Sequence, residues 1–223
     1  MMASTFGDPV VPAEAKRFHD EARAAGARGD YERAAELFGE AHMLAPDWPY
    51  PIYEMAFTYL LVDRPEDAEV LYAEVDAMMP DGFFTCKTSL YTLRRELSGA
   101  LPPGFSKAFA TLEWMPDPEQ KKTILAGMTR KFPAFAPAWK ELSALLSDPA
   151  ERLHALNQGL AAYPDPETRG MLVLNKATVL AGLGARAEAR QLLGKLMADT
   201  ETTTAGMTLA RELLAGLDQN ASL

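Results

Sequence analysis

A block of residues that returns after 34 positions constrains this chain more than any other feature. Gly29-Asp30-Tyr31-Glu32-Arg33-Ala34-Ala35-Glu36-Leu37-Phe38, closing on Ala45-Pro46-Asp47, is answered by Asp63-Arg64-Pro65-Glu66-Asp67-Ala68-Glu69-Val70-Leu71-Tyr72, closing on Met79-Pro80-Asp81. Ala34 falls on Ala68, Phe38 on Tyr72 and Pro46-Asp47 on Pro80-Asp81. Such a period belongs to a helix pair that cannot bury its apolar face alone and stacks on its neighbours. Gly29-Asp30 and Asp63-Arg64-Pro65 interrupt the chain between helices, because Gly and Asp favour turns and Pro suits a first helical turn. Pro46 and Pro80 end each second helix, since proline cannot continue the hydrogen-bond ladder. Small side chains at Ala22, Ala34, Ala41, Ala56 and Ala68 let paired helices approach closely, and Phe18, Phe38, Ile52 and Tyr72 fill the space between pairs.

These positions resemble the tetratricopeptide repeat family over two consecutive units, residues 15–48 and 49–82. The small, small, aromatic, small, proline positions are Ala22, Ala34, Phe38, Ala41 and Pro46 in the first unit, and Ala56, Ala68, Tyr72, Val75 and Pro80 in the second. The early tryptophan position of the family carries Phe18 and Ile52 instead, and a usual leucine position carries Glu21. The fold implied is all-α, a right-handed α-solenoid of stacked antiparallel helix pairs.

The rest of the chain continues in helices with altered spacing. Phe83 to Leu97 reads as one more first-type helix. Ser98-Gly99-Ala100-Leu101-Pro102-Pro103-Gly104 is turn chemistry and marks a hinge or linker at 98–104. Beyond it Asp117-Pro118 and Asp148-Pro149 recur 31 residues apart, as do Pro133 and Pro164. Each Asp-Pro reads as a helix N-cap with proline in the first turn, and Phe105–Met115 and Pro137–Ser147 are the short helices between. Residues 167–199 return to a length near 34, and Thr202–Leu217 closes the array as a capping helix. The expected organisation is a flexible 1–12, repeats over 13–97, the linker, repeats and cap over 105–217, and a tail at 218–223. About twelve helices and no sheet are expected.

Composition narrows the function. The net charge is −9 and the isoelectric point about 4.9. This opposes bulk attachment to nucleic acid or anionic membranes, both of which need a basic footprint. The one cysteine, Cys86, allows no intrachain disulfide. No secretion signal and no run of some 18 apolar residues is read, so a cytoplasmic chain is expected. His19, His42 and His154 lack zinc-like spacing, and no phosphate loop, nucleophile elbow or zincin motif occurs. No metal, cofactor or catalysis is expected. The acids of residues 63–81 read as a solvated helix face, and Cys86 as a small core residue.

The resemblance implies a ligand surface lined by first helices. Its positions are Lys16, His19, Arg23, Gly26 and Ala27 in the first unit, and Tyr50, Tyr53, Phe57, Leu60 and Leu61 in the second. In the third helix they are Phe84, Lys87, Tyr91, Arg94 and Arg95. None is acidic and five are basic, although residues 1–112 hold 18 acidic against 10 basic side chains. A basic and aromatic groove (Lys16, His19, Arg23, Tyr50, Tyr53, Phe57, Lys87, Tyr91, Arg94) in an acidic body would attract an acidic peptide with an apolar anchor. Some family members clamp a terminal carboxylate with asparagines. Arg23, Phe57 and Tyr91 stand at those positions here, against that partner class. The expectation is a non-catalytic adaptor that binds a protein or peptide. The alternatives are a structural module that self-associates, as a homodimer for example, and more remotely an enzyme on a helical scaffold.

Overall fold

The computed structural model describes residues 11–219. Expectations for residues 1–10 and 220–223, most of the N-terminal segment and of the tail, fall outside them. Among the described residues the chain is all-helical, with twelve α-helices, one 3-10 turn and no strand. None of these helices is long and apolar enough to cross a membrane. The chain divides into two compact units between Ala110 and Thr111.

Unit 1 contains α1 (Ala13–Ala27), α2 (Tyr31–Leu44), α3 (Pro49–Leu61), α4 (Pro65–Met78), α5 (Cys86–Leu97) and most of α6 (Phe105–Thr111). The signature positions of the repeat are its core. Ala22, Ala34, Ala41, Ala56, Ala68 and Val75 are fully buried, with Phe38 and Tyr72 beside them. Ala22 and Ala25 pack on Ala34, Leu37 and Phe38 in the first pair. Ile52, Ala56, Ala68, Tyr72, Val75, Cys86 and Leu93 form one cluster in the next. Burying a side chain such as Leu37 or Ile52 contributes about 1.5–3 kcal/mol. The turns follow the sequence chemistry. Gly29 adopts φ 81°, Asp30 caps α2 by accepting from the Arg33 N–H at 3.3 Å, and Pro49 and Pro65 open α3 and α4.

Two boundaries differ from the sequence reading, each for a local reason. The third first-type helix starts at Cys86 rather than Phe83, because Phe84 takes a left-handed φ of 48°. Residues 98–104 form a turn that stays attached to unit 1. The buried Glu96 carboxylate accepts from the Gly104 N–H at 2.5 Å and the Ser106 N–H at 2.6 Å, which caps α6 from the end of α5. Lys107 adds an ion pair to Asp63 at 3.0 Å, and Ala110 packs against the unit 1 core. The division therefore falls at the end of α6, between Ala110 and Thr111, rather than at the turn.

Unit 2 begins with the 3-10 turn Leu112–Trp114, where the sequence suggests continuous helix to Met115. It then holds α7 (Pro118–Lys131), α8 (Ala136–Leu145), α9 (Pro149–Ala161), α10 (Pro166–Gly182), α11 (Arg186–Ala198) and α12 (Thr204–Gln219). The Asp-Pro pairs do cap helices. Asp117 accepts from Glu119 N at 2.9 Å and Gln120 N at 3.2 Å, and Asp148 from Glu151 N at 2.8 Å. Asp165-Pro166 repeats the device. Leu174, Ala177, Leu180, Ala189, Leu193, Leu196, Ala210 and Leu217 make the core under α10, α11 and α12. Arg211, Glu212 and Asp218 on α12 are exposed, and Asp218 and Gln219 extend this helix into the expected tail.

Between α7 and α8, Glu141 lies 2.7 Å from Lys140 Nζ and 3.4 Å from Lys121 Nζ. Burial opposes its ionisation, but the two ammonium groups outweigh burial and hold its carboxyl below the ordinary value. A depressed carboxyl stabilises the fold above its unfolded pKa, and that stability is lost as pH falls through the lower folded value. Acid titration of unfolding midpoints should show this loss, and Glu141→Gln should flatten it. An unchanged slope would assign the acid response to other groups.

Candidate functional site

The nine groove residues expected from the sequence all lie in unit 1, on α1, α3 and α5, and the structure sorts them into two sets. The first set gathers where the first-type helices lie side by side. His19, buried on α1, has its ring 4.8 Å from Trp48 and 6.3 Å from Tyr50. Tyr50 continues to Phe83 at 5.0 Å and Phe84 at 5.6 Å. Tyr53 closes the group, with Phe83 at 5.4 Å, Phe84 at 5.5 Å and its hydroxyl 2.9 Å from Thr85 Oγ1. The rings meet mostly edge to face, the arrangement their quadrupoles favour.

The upper side of this cluster faces solvent. Phe84 is 62% exposed and Tyr50 38%. Phe84 presents its ring from a left-handed backbone, a conformation that costs a bulky L-residue on the order of 1 kcal/mol or more. Lys16, His19 and Arg23 share one stripe of α1 beside Trp48, with both cations exposed.

The second set is turned elsewhere. Lys87 pairs with Asp76 at 2.5 Å and Arg94 with Glu69 at 2.8 Å, both acids lying on α4. Arg95 lies over the half-buried Tyr91 ring at 5.2 Å. Phe57 is also half-buried. Glu54, on α3, comes within 3.5 Å of Arg23 Nε and 3.6 Å of His19 Nε2. The positive sign expected from first-helix positions is thus largely compensated by Glu54, Asp76 and Glu69. Of the basic residues, Lys16 and Arg23 are the exposed cations beside the aromatic cluster.

Sequence reasoning missed Trp48 and Phe83. They stand at the last and first positions of their repeats, where the resemblance assigns no ligand contact. The aromatic runs Trp48-Pro49-Tyr50 and Phe83-Phe84 were the available signal. Cys86 is buried as expected, with its thiol 3.2 Å from the Tyr72 carbonyl oxygen. Among the described residues no group of three or more His, Cys, Asp or Glu is placed to hold a metal ion.

No family model matches the chain, and no curated protein does. Solved helical repeat structures align with it loosely. MamA from Desulfovibrio magneticus is 14% identical, with 85% of this chain and 96% of that one covered at a TM-score of 0.41. A thermophilic tetratricopeptide protein of Thermus thermophilus is 20% identical over 90% of this chain and 99% of its own, at 0.39. The TPR2AB domain of yeast Sti1, in its complex with pHSP90, is 16% identical over 95% and 86%, also at 0.39. At such superpositions no residue role or partner carries across. The chain's own 34-residue recurrence, and the helix pairs that bury it, make it a helical repeat protein.

Proposed function

We propose that this chain is a non-catalytic, cytoplasmic adaptor that holds a segment of a partner protein on the Trp48–Tyr50–Phe84 face of unit 1. The observation that carries the reading is that face itself. Two exposed aromatic rings sit on a rigid aromatic base, and one is held outward at a backbone cost. Exposed aromatics on a packed base are the residues that dominate interface energies, and strain of this kind gathers at functional positions. Lys16, exposed beside the face, favours an acidic residue in the partner, and Arg23, with its Nε 3.5 Å from Glu54, adds a second exposed cation. Beside it Arg23 and Glu54 form an ion pair rather than a nucleophile–base arrangement. Fold alone does not assign function, so the reading stands on these side chains.

Panning a displayed library of random dodecapeptides against the chain tests it. Peptides joining an apolar anchor to Asp or Glu should be enriched. Lys16→Glu/Arg23→Gln and, separately, Phe84→Ala should each weaken their binding by about tenfold or more, with light scattering confirming an unchanged oligomeric state. Lys87 and Arg94 are poor test sites, because reversing them sets like charges against Asp76 and Glu69. Equal binding by both variants would sink the reading. Failure to enrich peptides, together with a stable oligomer, would favour self-association instead.

A further inference from the structure

We infer that the segment bound on this face is a proline-containing stretch in the polyproline II conformation, an inference that rests on the proposed function and narrows it. Two hydrogen-bond donors on this face lack partners. Among the described residues neither the Trp48 indole N–H nor the Tyr50 hydroxyl has a hydrogen-bond partner; the Trp48 N–H is not sealed from solvent, and Tyr50 is 38% exposed. Both belong to rings of the aromatic face. A ligand seated there would meet apolar ring surface and two unused donors, and so would need free acceptors beside its apolar groups.

Three modes of peptide recognition can be weighed against that demand. Adding a strand needs a sheet edge, and among the described residues there is no strand. A docked helix brings an apolar stripe, but its carbonyls are already committed to its own hydrogen bonds, so only its side chains could answer the two donors. A polyproline II segment has no internal hydrogen bonds, so its carbonyls are free. Its bulky side chains also recur every three residues along an extended backbone.

Ring geometry agrees. Tyr50 meets Phe83 at 87° and Phe84 at 76°, and Phe83 meets Phe84 at 79°. Rings set edge to face make a ridged surface rather than a flat strip, and a compact pyrrolidine ring can pack against such ridges. The charge beside the rings sets the flank. Lys16 and Arg23 lie along the same stripe of α1 as His19, whose ring touches Trp48. An acidic residue next to the proline run would meet them. The occupant is therefore an acidic-flanked, proline-containing segment of a partner protein.

The test uses the full chain labelled with nitrogen-15. The indole N–H signals of Trp48, Trp114 and Trp139 are assigned by single Trp→Phe substitutions. The probe is an acetylated peptide of two Asp followed by eight Pro. Two controls of equal length carry the same Asp pair, one on a Gly-Ser chain and one on a helix-forming Ala-rich chain. The expected result is a saturable shift of the Trp48 signal with the proline probe, with the other two signals fixed. Phe84→Ala should weaken that response at least about tenfold while the helical circular dichroism is retained. An equal response to the Gly-Ser peptide, a stronger one to the helical peptide, or none to the proline probe would overturn the inference. If the library still yields peptides that Lys16→Glu/Arg23→Gln loses, only the conformational assignment falls. If it yields none, both readings fall.

Discussion

Replacing Glu96 by Ala is expected to lower the stability of unit 1 by about 3 kcal/mol. Glu96 ends α5, where the helix dipole disfavours a negative charge, so its place there needs a reason. Its two oxygens supply it by accepting from Gly104 N–H and Ser106 N–H at the start of α6. A short helix leaves its first N–H groups without partners. Here the carboxylate of the preceding helix serves as the cap, and at 8% exposure water is a poor substitute. Losing it strands a buried donor at Ser106 together with a charge-assisted bond at Gly104. Gln at this position keeps one acceptor but turns its amide donor against an N–H, so about half the effect should remain. Urea unfolding followed by Trp48 fluorescence, with Trp114 and Trp139 replaced by Phe, reads unit 1 alone. A loss below about 0.5 kcal/mol would show that the α5–α6 turn is held by other contacts.

Tyr72→Ala should cost more, about 3–5 kcal/mol, because it empties the aromatic position of the second repeat. Tyr72 is fully buried between α3, α4 and α5, with the Tyr53 ring at 5.6 Å and the Cys86 thiol on its carbonyl. Tyr72→Phe keeps the volume and isolates the hydroxyl. Burial raises the phenol pKa well above its ordinary value, and the nearby Tyr53 adds to this, while a hydrogen bond with Ser89 acts the other way. The unfolded chain ionises near the ordinary tyrosine value of about 10. The folded phenol stays neutral there, so its stability contribution is complete below that pH and is lost as pH rises through the folded value. The urea midpoint of the wild type should therefore fall more steeply above about pH 10 than that of Tyr72→Phe. Parallel profiles would mean that Tyr72 reaches solvent before unfolding.

What the sequence determined by itself is local and periodic. Turn residues at Gly29-Asp30, proline stops at Pro46 and Pro80 and the caps at Asp117 and Asp148 act within a few residues of themselves, so reading them needs no neighbour. The buried Ala22, Ala34, Phe38 and their counterparts Ala56, Ala68 and Tyr72 were legible for a related reason. The same packing problem is solved twice, 34 residues apart, and both copies record it. The tertiary structure decided everything that depends on how one helix is rotated against the next. Position in the repeat put Lys87 and Arg94 in the groove, but α4 brings Asp76 and Glu69 to them. Trp48 and Phe83, outside the expected positions, joined the aromatic face when α1, α3 and α5 came side by side. Charge pairing and ring contact turn on separations of a few ångströms between helices, which packing sets and residue spacing along one helix does not.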